Sequence, residues 1–163
     1  MYNYDLIDHI DTRIKEPKSI IKKMEKKKYD KTYLNLIEKI NDVAGMRIVC
    51  TLKDDIFFIR DLIKQMPDIH ILKEKDYVTN PKPSGYSSYH MVVEVPVRLT
   101  QKTIYVKCEI QIRTLAMDFW ASFEHKVKYK TEHNVSKKTS KELVSCAKMI
   151  SKFDDKMISL KNI

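Results

Sequence analysis

Glycine is scarce: Gly45 and Gly85 are the only two in 163 residues. That excludes a GxGxxG dinucleotide loop and a GxxxxGK[ST] phosphate loop. A chain of this composition that binds nucleotide phosphates must do so mainly with side chains. Cysteine is also sparse. Cys50, Cys108 and Cys146 lie far apart, and no pair has metal-ligand spacing. Cys50 and Cys108 fall in apolar strand patterns, which reads as buried thiols in a reducing cytoplasm. No apolar run is long enough to span a bilayer, and the N-terminus has no signal-peptide pattern. A cytoplasmic protein with no membrane partner is therefore expected. Acidic residues are outnumbered, 22 against 31 basic ones, for a net charge of +9. This favours polyanionic partners (nucleotides, RNA or an acidic surface) without separating them.

The length suits one domain with a real core, taken as residues 1–163. Its most regular stretch is 106–113. Val106, Cys108, Ile110 and Ile112 alternate with Lys107, Glu109, Gln111 and Arg113, the period of a strand. The apolar row belongs in a core. The polar row reads equally as a solvated surface or as the floor of a site for a metal ion and anionic groups.

Residues 1–12 are weakly patterned, with Tyr2, Tyr4, Leu6, Ile7 and Ile10 as packing candidates. Pro17 suits the first turn of a helix whose apolar stripe is Ile20, Ile21 and Met24. Around it sit Arg13, Lys15, Lys18, Lys22, Lys23, Lys26, Lys27 and Lys28 against Glu16 and Glu25. Such a run is a solvated basic face or a phosphate clamp. A second helix at 31–41 carries Tyr33, Leu36, Ile37 and Ile40 at helical spacing. Asp42 follows, with Gly45, at the mouth of a strand at 46–52. It either ends the helix or holds Mg²⁺. Asp54 and Asp55 open a third helix lined by Ile56, Ile59, Ile63 and Met66 and ended by Pro67.

A strand at 68–78 leads to a proline-stiffened loop in which Gly85 allows an unusual turn. The strand 88–95 places Ser88, His90, Val92 and Glu94 on one face, and a turn near 99–102 returns the chain into 106–113. A helix from Leu115 to about Tyr129 presents Ala116, Phe119, Trp120 and Phe123 as core, with Met117, Ala121, Glu124 and Lys128 on another face. Thr139-Ser140-Lys141-Glu142 reads as a capping box. The last helix turns Leu143, Ala147, Ile150, Phe153, Met157 and Leu160 inward, or offers them to a subunit contact. Consecutive strands without intervening helices give an α+β fold, a mixed sheet of four to five strands flanked by helices.

Phosphoryl or pyrophosphoryl transfer needs metal-binding carboxylates, cations for phosphate oxygens and surfaces for the bases. Asp42 and Glu109 supply the first. The 13–28 segment, Arg47, Lys73, Lys75, Lys82 and Arg113 supply the second, and Tyr86 offers a stacking face. Several ordered motifs sharpen this. They are Arg13-x-Lys15-x-x-x-Ser19-x-x-x-Lys23, Asp42-Val-Ala-Gly-Met-Arg47, Lys75-Asp76-Tyr77, Asn80-Pro-Lys-Pro-Ser-Gly-Tyr-Ser-Ser-Tyr-His90 and Glu109-Ile-Gln-Ile-Arg-Thr-Leu-Ala-Met-Asp-Phe-Trp-Ala-Ser-Phe-Glu-His125. Together they resemble the synthetase domain of the RelA/SpoT family over about residues 12–160. The length resembles its small alarmone synthetases, the RelQ type in particular.

The resemblance implies a nucleotidyltransferase-like sheet and a Mg²⁺-dependent GTP diphosphokinase of the stringent response. That reaction moves a pyrophosphoryl group from ATP to the 3′-hydroxyl of GDP or GTP, with GMP as a further candidate acceptor. It implies Asp42 and Glu109 as metal ligands, with Glu109 taking the 3′-hydroxyl proton. Arg13, Lys15, Ser19, Lys23 and Arg47 would bind ATP, the arginines bracketing adenine. Tyr86 would stack on guanine. Lys75, Lys82 and His90 would serve the acceptor, Asp118 and Ala121 would read the guanine edge, and Gln111 and Glu124 would support the cleft. A homotetramer and single-stranded RNA are the implied partners; a non-catalytic RNA- or nucleotide-binding module is the alternative. Ser87 departs from the arginine usual after the stacking tyrosine, which predicts weaker acceptor-phosphate binding. Only 12 residues precede Arg13, where the family has a longer N-terminal helix, so a shortened relative or a fragment is expected. His9 and Asp11 do not read as the phosphate-binding lip that an activator site would need.

Overall fold

A computed structural model describes residues 5–131 and 134–161, so Tyr2 and Tyr4 lie outside the described residues. Five strands form one sheet in the order β1-β2-β5-β4-β3: β1 is Ile7–Ile14, β2 Ala44–Cys50, β3 His70–Asp76, β4 Tyr89–Arg98 and β5 Thr103–Thr114. Among the described residues β2 and β5 pair in parallel, and the other three pairings are antiparallel. The described residues also form five helices, α1 (Pro17–Lys26), α2 (Tyr33–Lys39), α3 (Lys53–Lys64), α4 (Leu115–Lys130) and α5 (Lys137–Lys161). None among the described residues is long and apolar enough to cross a membrane.

The alternation read in β5 holds. Ile110 and Ile112 enter a core with Ile48 and Cys50 of β2, Met91 and Val93 of β4, and Ile56, Ile59 and Ile63 of α3. Burial in this core pushes the Cys50 thiol up to about 12. Asp55 anchors α3 by accepting from the Leu52 amide at 2.9 Å, which satisfies a free donor at the helix start.

Four elements differ from the sequence reading. Residues 7–14, read as the end of a weakly patterned stretch and the start of the basic segment, form an edge strand. Its residues are almost all exposed, so hydrogen bonding to β2 defines it and no apolar alternation marks it. In α2 only the stripe's last member, Ile40, is buried, and it lies just past the helix; Tyr33 and Ile37 are exposed. In α4 the core face is Met117, Trp120 and Glu124, whereas Phe119 and Phe123 are 70% and 51% exposed. The rotation of α4 is set where β5 runs straight into it. Buried Thr114 accepts from the Met117 amide at 3.1 Å and donates to Asp154 of α5 at 2.9 Å. Trp120 then donates to the Leu143 carbonyl at 3.0 Å. In α5, Leu143 and Asp154 face inward, while Phe153, Met157 and Leu160 face solvent. This helix begins at Lys137, and Ser136 Oγ accepts from the Thr139 amide at 3.0 Å, so the start precedes the Thr139–Glu142 box.

Gly85 does make the unusual turn, with φ of +92°. It also docks the 79–86 loop on α5, because a Cβ there would lie 2.5 Å from the Ala147 Cβ. Gly85→Ala is expected to lower stability by about 1–3 kcal/mol from backbone strain alone. Urea unfolding reads this directly, and an unchanged midpoint would contradict the docking.

Candidate active site on the polar face of the sheet

Residues two apart on a strand share a face, so register decides which polar side chains meet. Two rungs cross the solvent side of the sheet. One is Arg13–Gly45–Glu109–Val92–Lys73, the other Asp11–Arg47–Gln111–His90–Lys75. Two clefts open on this face. From the polar row of β5, Glu109 and Gln111 reach them, whereas Lys107 and Arg113 line neither. The smaller, about 150 Å³, is lined by Asp11, Arg13, Arg47 and Gln111 among others. The larger, about 480 Å³, is lined by the cations Lys23, Lys27, Lys39, Lys73, Lys75 and Lys82 with Tyr29, Tyr77 and His90. Asp42 and Glu109 line both.

Asp42 lies between two lysines, with Lys15 Nζ 2.8 Å from Oδ2 and Lys23 Nζ 2.7 Å from Oδ1. Burial pushes its carboxyl up, but the lysines outweigh it and hold it below its ordinary value. Glu109 is held low as well, chiefly by His90, whose Nδ1 is 3.5 Å from Oε1, and then by Gln111, whose Nε2 donates to Oε2 at 3.1 Å. The negative charge of Asp42 acts on Glu109 in the opposite sense. Two carboxylates that sense each other at one wall fit a Mg²⁺ ion, which takes one or two protein carboxylates and completes its shell from substrate phosphates. Among the described residues no three His, Cys, Asp or Glu side chains form a closed metal cage.

The aromatic wall is built on the loop and β4. Tyr86 meets Tyr77 and His90 edge-on, at ring distances of 6.3 and 5.7 Å, and Lys82 Nζ sits over both tyrosines at 4.7 and 4.6 Å. Asp76 holds the turn behind Tyr77 by accepting from the Val78 and Thr79 amides, each at 2.8 Å. Asp118, in the first turn of α4, lies 3.5 Å from Arg47 Nε and 3.3 Å from Arg113 Nη1; Ala121 is half-buried on the same helix. Ser19 is exposed in the first turn of α1. Glu124 is buried and pairs with Lys128. Ser87 lines neither cleft but a separate cavity of about 240 Å³ with Met117, Trp120 and Ala147.

Tyr77 had no assigned role in the sequence reading, and Arg113 was counted there only among the cations for phosphate oxygens. Tyr77, two residues after the motif lysine Lys75, completes the aromatic wall. Arg113 is only 3% exposed and reaches Tyr86, Gln111 and Asp118 together. Its place in the polar row was the available signal. Lys107, in the same row, donates to the Glu38 carbonyl at 2.8 Å and so satisfies the end of α2. Buried nitrogens without a hydrogen-bond partner, Arg47 Nε and Arg113 Nε, lie beside the site.

Comparison with known proteins bears on this geometry. Residues 12–134 match the family model described as a region found in RelA / SpoT proteins. The chain is 43% identical over 161 residues to GTP pyrophosphokinase YwaC of Bacillus subtilis (strain 168), covering 99% of this chain and 77% of that protein. The crystal structure of small alarmone synthetase 2 from Bacillus subtilis superposes with a TM-score of 0.89 at 43% identity, covering 98% of this chain and 83% of that one. Small alarmone synthetase 1 from Bacillus subtilis, bound to its product pppGpp, gives 0.87 at 35% identity over 96% and 79%. The same protein bound to AMPCPP gives 0.80 at 31% identity over 98% and 79%.

Because Asp42 titrates low in the fold, its contribution to stability is complete above the ordinary carboxylate value of about 4 and is lost as the pH falls through the lowered one. Asp42→Asn should therefore lose less stability than the wild type between about pH 6 and about pH 3. Urea midpoints at the two pH values check this; equal losses would mean that the Lys15 and Lys23 pairings do not stabilise the fold.

Proposed function

The chain belongs to the RelA/SpoT family, and we propose that it is a small alarmone synthetase, transferring a pyrophosphoryl group from ATP to the 3′-hydroxyl of GDP or GTP. The products are AMP and ppGpp or pppGpp. The observation that carries this reading is the pair Asp42 and Glu109, which forms the common wall of two clefts. A reaction that joins two nucleotides needs two binding spaces with the transferring group between them.

In this reading the bond formed is from the acceptor 3′-oxygen to the β-phosphorus of ATP. The bond broken joins that phosphorus to the oxygen left on AMP. Glu109 accepts the 3′-hydroxyl proton. Its lowered basicity makes it a modest proton acceptor, so positioning and charge carry most of the acceleration. Asp42 and Glu109 would hold Mg²⁺, which when bound offsets phosphate charge and polarises the phosphoryl oxygens.

Arg13 and Arg47 face the smaller cleft and are assigned to adenine, with Lys15, Ser19 and Lys23 for the ATP phosphates. Lys75, Lys82 and His90 are assigned to the acceptor phosphates, Tyr86 to the guanine face, and Asp118 with Ala121 to its edge. Substituting side-chain cations for a glycine loop agrees with the composition. The exposed apolar rows of α2 and α5 are assigned to contacts in a homo-oligomer, since contiguous exposed apolar residues mark interaction surfaces. The same reading takes residues 1–163 as one synthetase domain in the cytoplasm, with single-stranded RNA as a further partner for the exposed α1 lysines.

Incubation with ATP, GDP and Mg²⁺ should yield AMP and a more phosphorylated guanosine in equal amounts. Untouched ATP would refute the synthetase reading and leave the non-catalytic module. Glu109→Gln should lower turnover by about 10²–10⁴-fold, the range for losing a positioned acid–base group. An unchanged rate would remove Glu109 from the mechanism. Tyr86→Ala should raise the KM for the guanine nucleotide by about tenfold or more, from loss of stacking worth about 1–3 kcal/mol. An unchanged KM would exclude the stacking role.

A further inference from the structure

Arginine can only donate hydrogen bonds. Arg113 is buried, and one of its nitrogens, Nη2, serves two branches that both end on Glu109. In the first branch Nη2 donates to Gln111 Oε1, which turns the amide so that Nε2 donates to Glu109 Oε2 at 3.1 Å. In the second branch Nη2 donates to the Tyr86 hydroxyl oxygen at 3.2 Å. That oxygen lies 2.8 Å from His90 Nε2. A hydroxyl that receives the Arg113 hydrogen turns its own hydrogen away from the cation, and Nε2 is the acceptor in reach. The imidazole proton then sits on Nδ1, the nitrogen 3.5 Å from Glu109 Oε1. Each carboxylate oxygen therefore faces an N–H whose direction traces back to Arg113, through one intermediate on the Gln111 branch and two on the His90 branch.

We propose that Arg113 is a positioning residue that fixes the amide orientation of Gln111 and the tautomer of His90. Both then present donors to Glu109. The arrangement holds the carboxylate in one rotamer, with each oxygen facing a donor. Without the guanidinium, the amide can turn over and the Tyr86 hydroxyl can accept from the Nε2–H tautomer of His90. Either change points a lone pair at the carboxylate. The effect on turnover rests on the synthetase reading; the hydrogen-bond directions do not.

The test begins with nucleotide-free, metal-free protein at about pH 8, above the ordinary imidazole value. Long-range ¹H–¹⁵N correlation of the imidazoles, with His90 assigned by comparison with His90→Asn, should show the Nδ1–H tautomer. Finding Nε2–H in the wild type overturns the proposal, whatever the activity. Tyr86→Phe, which leaves every buried charge in place, and Arg113→Met should both move His90 toward Nε2–H. A tautomer unchanged in Tyr86→Phe also overturns it.

In the synthetase assay Arg113→Met should lower kcat by about 10–100-fold, the usual cost of losing a residue that orients a site ligand, with the KM for ATP changed less than about threefold. In a Gln111→Leu, Tyr86→Phe background, where both branches are already cut, Arg113→Met should cost less than about twofold more. A full additional loss there means that Arg113 acts on substrate or on the fold, and the positioning role falls.

Discussion

The parallel pairing of β2 with β5 is the constraint on which the site depends. It sets Gly45 beside Glu109 and Arg47 beside Gln111. Asp42, three residues before Gly45, is thereby delivered to the wall that Glu109 occupies. A slip of one residue would turn every side chain of β5 to the other face, sending Glu109 into the core and Ile110 into solvent. The core prevents the slip, because Ile110 and Ile112 are held between β2, β4 and α3. The packing that stabilises the sheet therefore also sets the register of its chemistry.

Charge is balanced locally on this face. Each central carboxylate has two nitrogen partners, lysines for Asp42 and the Gln111 and His90 pair for Glu109. A carboxylate removed from water needs such partners, or it takes up a proton. The remaining cations line the larger cleft without carboxylates of comparable number, which suits it to anionic ligands. Resemblance to small alarmone synthetases and this local electrostatics point the same way from independent starting points.

Much of the fold was legible because strong periodicity reports burial. Strands β4 and β5, helix α3 and the turn at Gly85 all fall where alternation, spacing or a lone glycine places them. Strand β1 was not legible, since an edge strand with both faces near solvent carries no apolar pattern. The faces of α4 and α5 were misjudged for a related reason. Both helices have more apolar residues than one buried stripe can hold, and the choice of stripe was made by the buried Thr114–Asp154 hydrogen bond and the Trp120–Leu143 contact. Phe119 and Phe123 stack on each other at the surface instead, with ring centroids 6.5 Å apart.

By itself the sequence determined the residue types available for chemistry: two candidate carboxylates, an excess of cations, a tyrosine behind a rigid loop, and too little glycine for a backbone phosphate cradle. It also determined the alternation that splits β5 into a core row and a site row, because a period of two follows from local backbone geometry. Only the tertiary structure decided that Asp42 and Glu109 share a wall, that two clefts meet there, and that Arg113 is buried behind them. Those facts depend on contacts between residues tens of positions apart, set by strand order and register. No local pattern records which strand becomes a neighbour or which hydrogen-bond partner a buried donor finds.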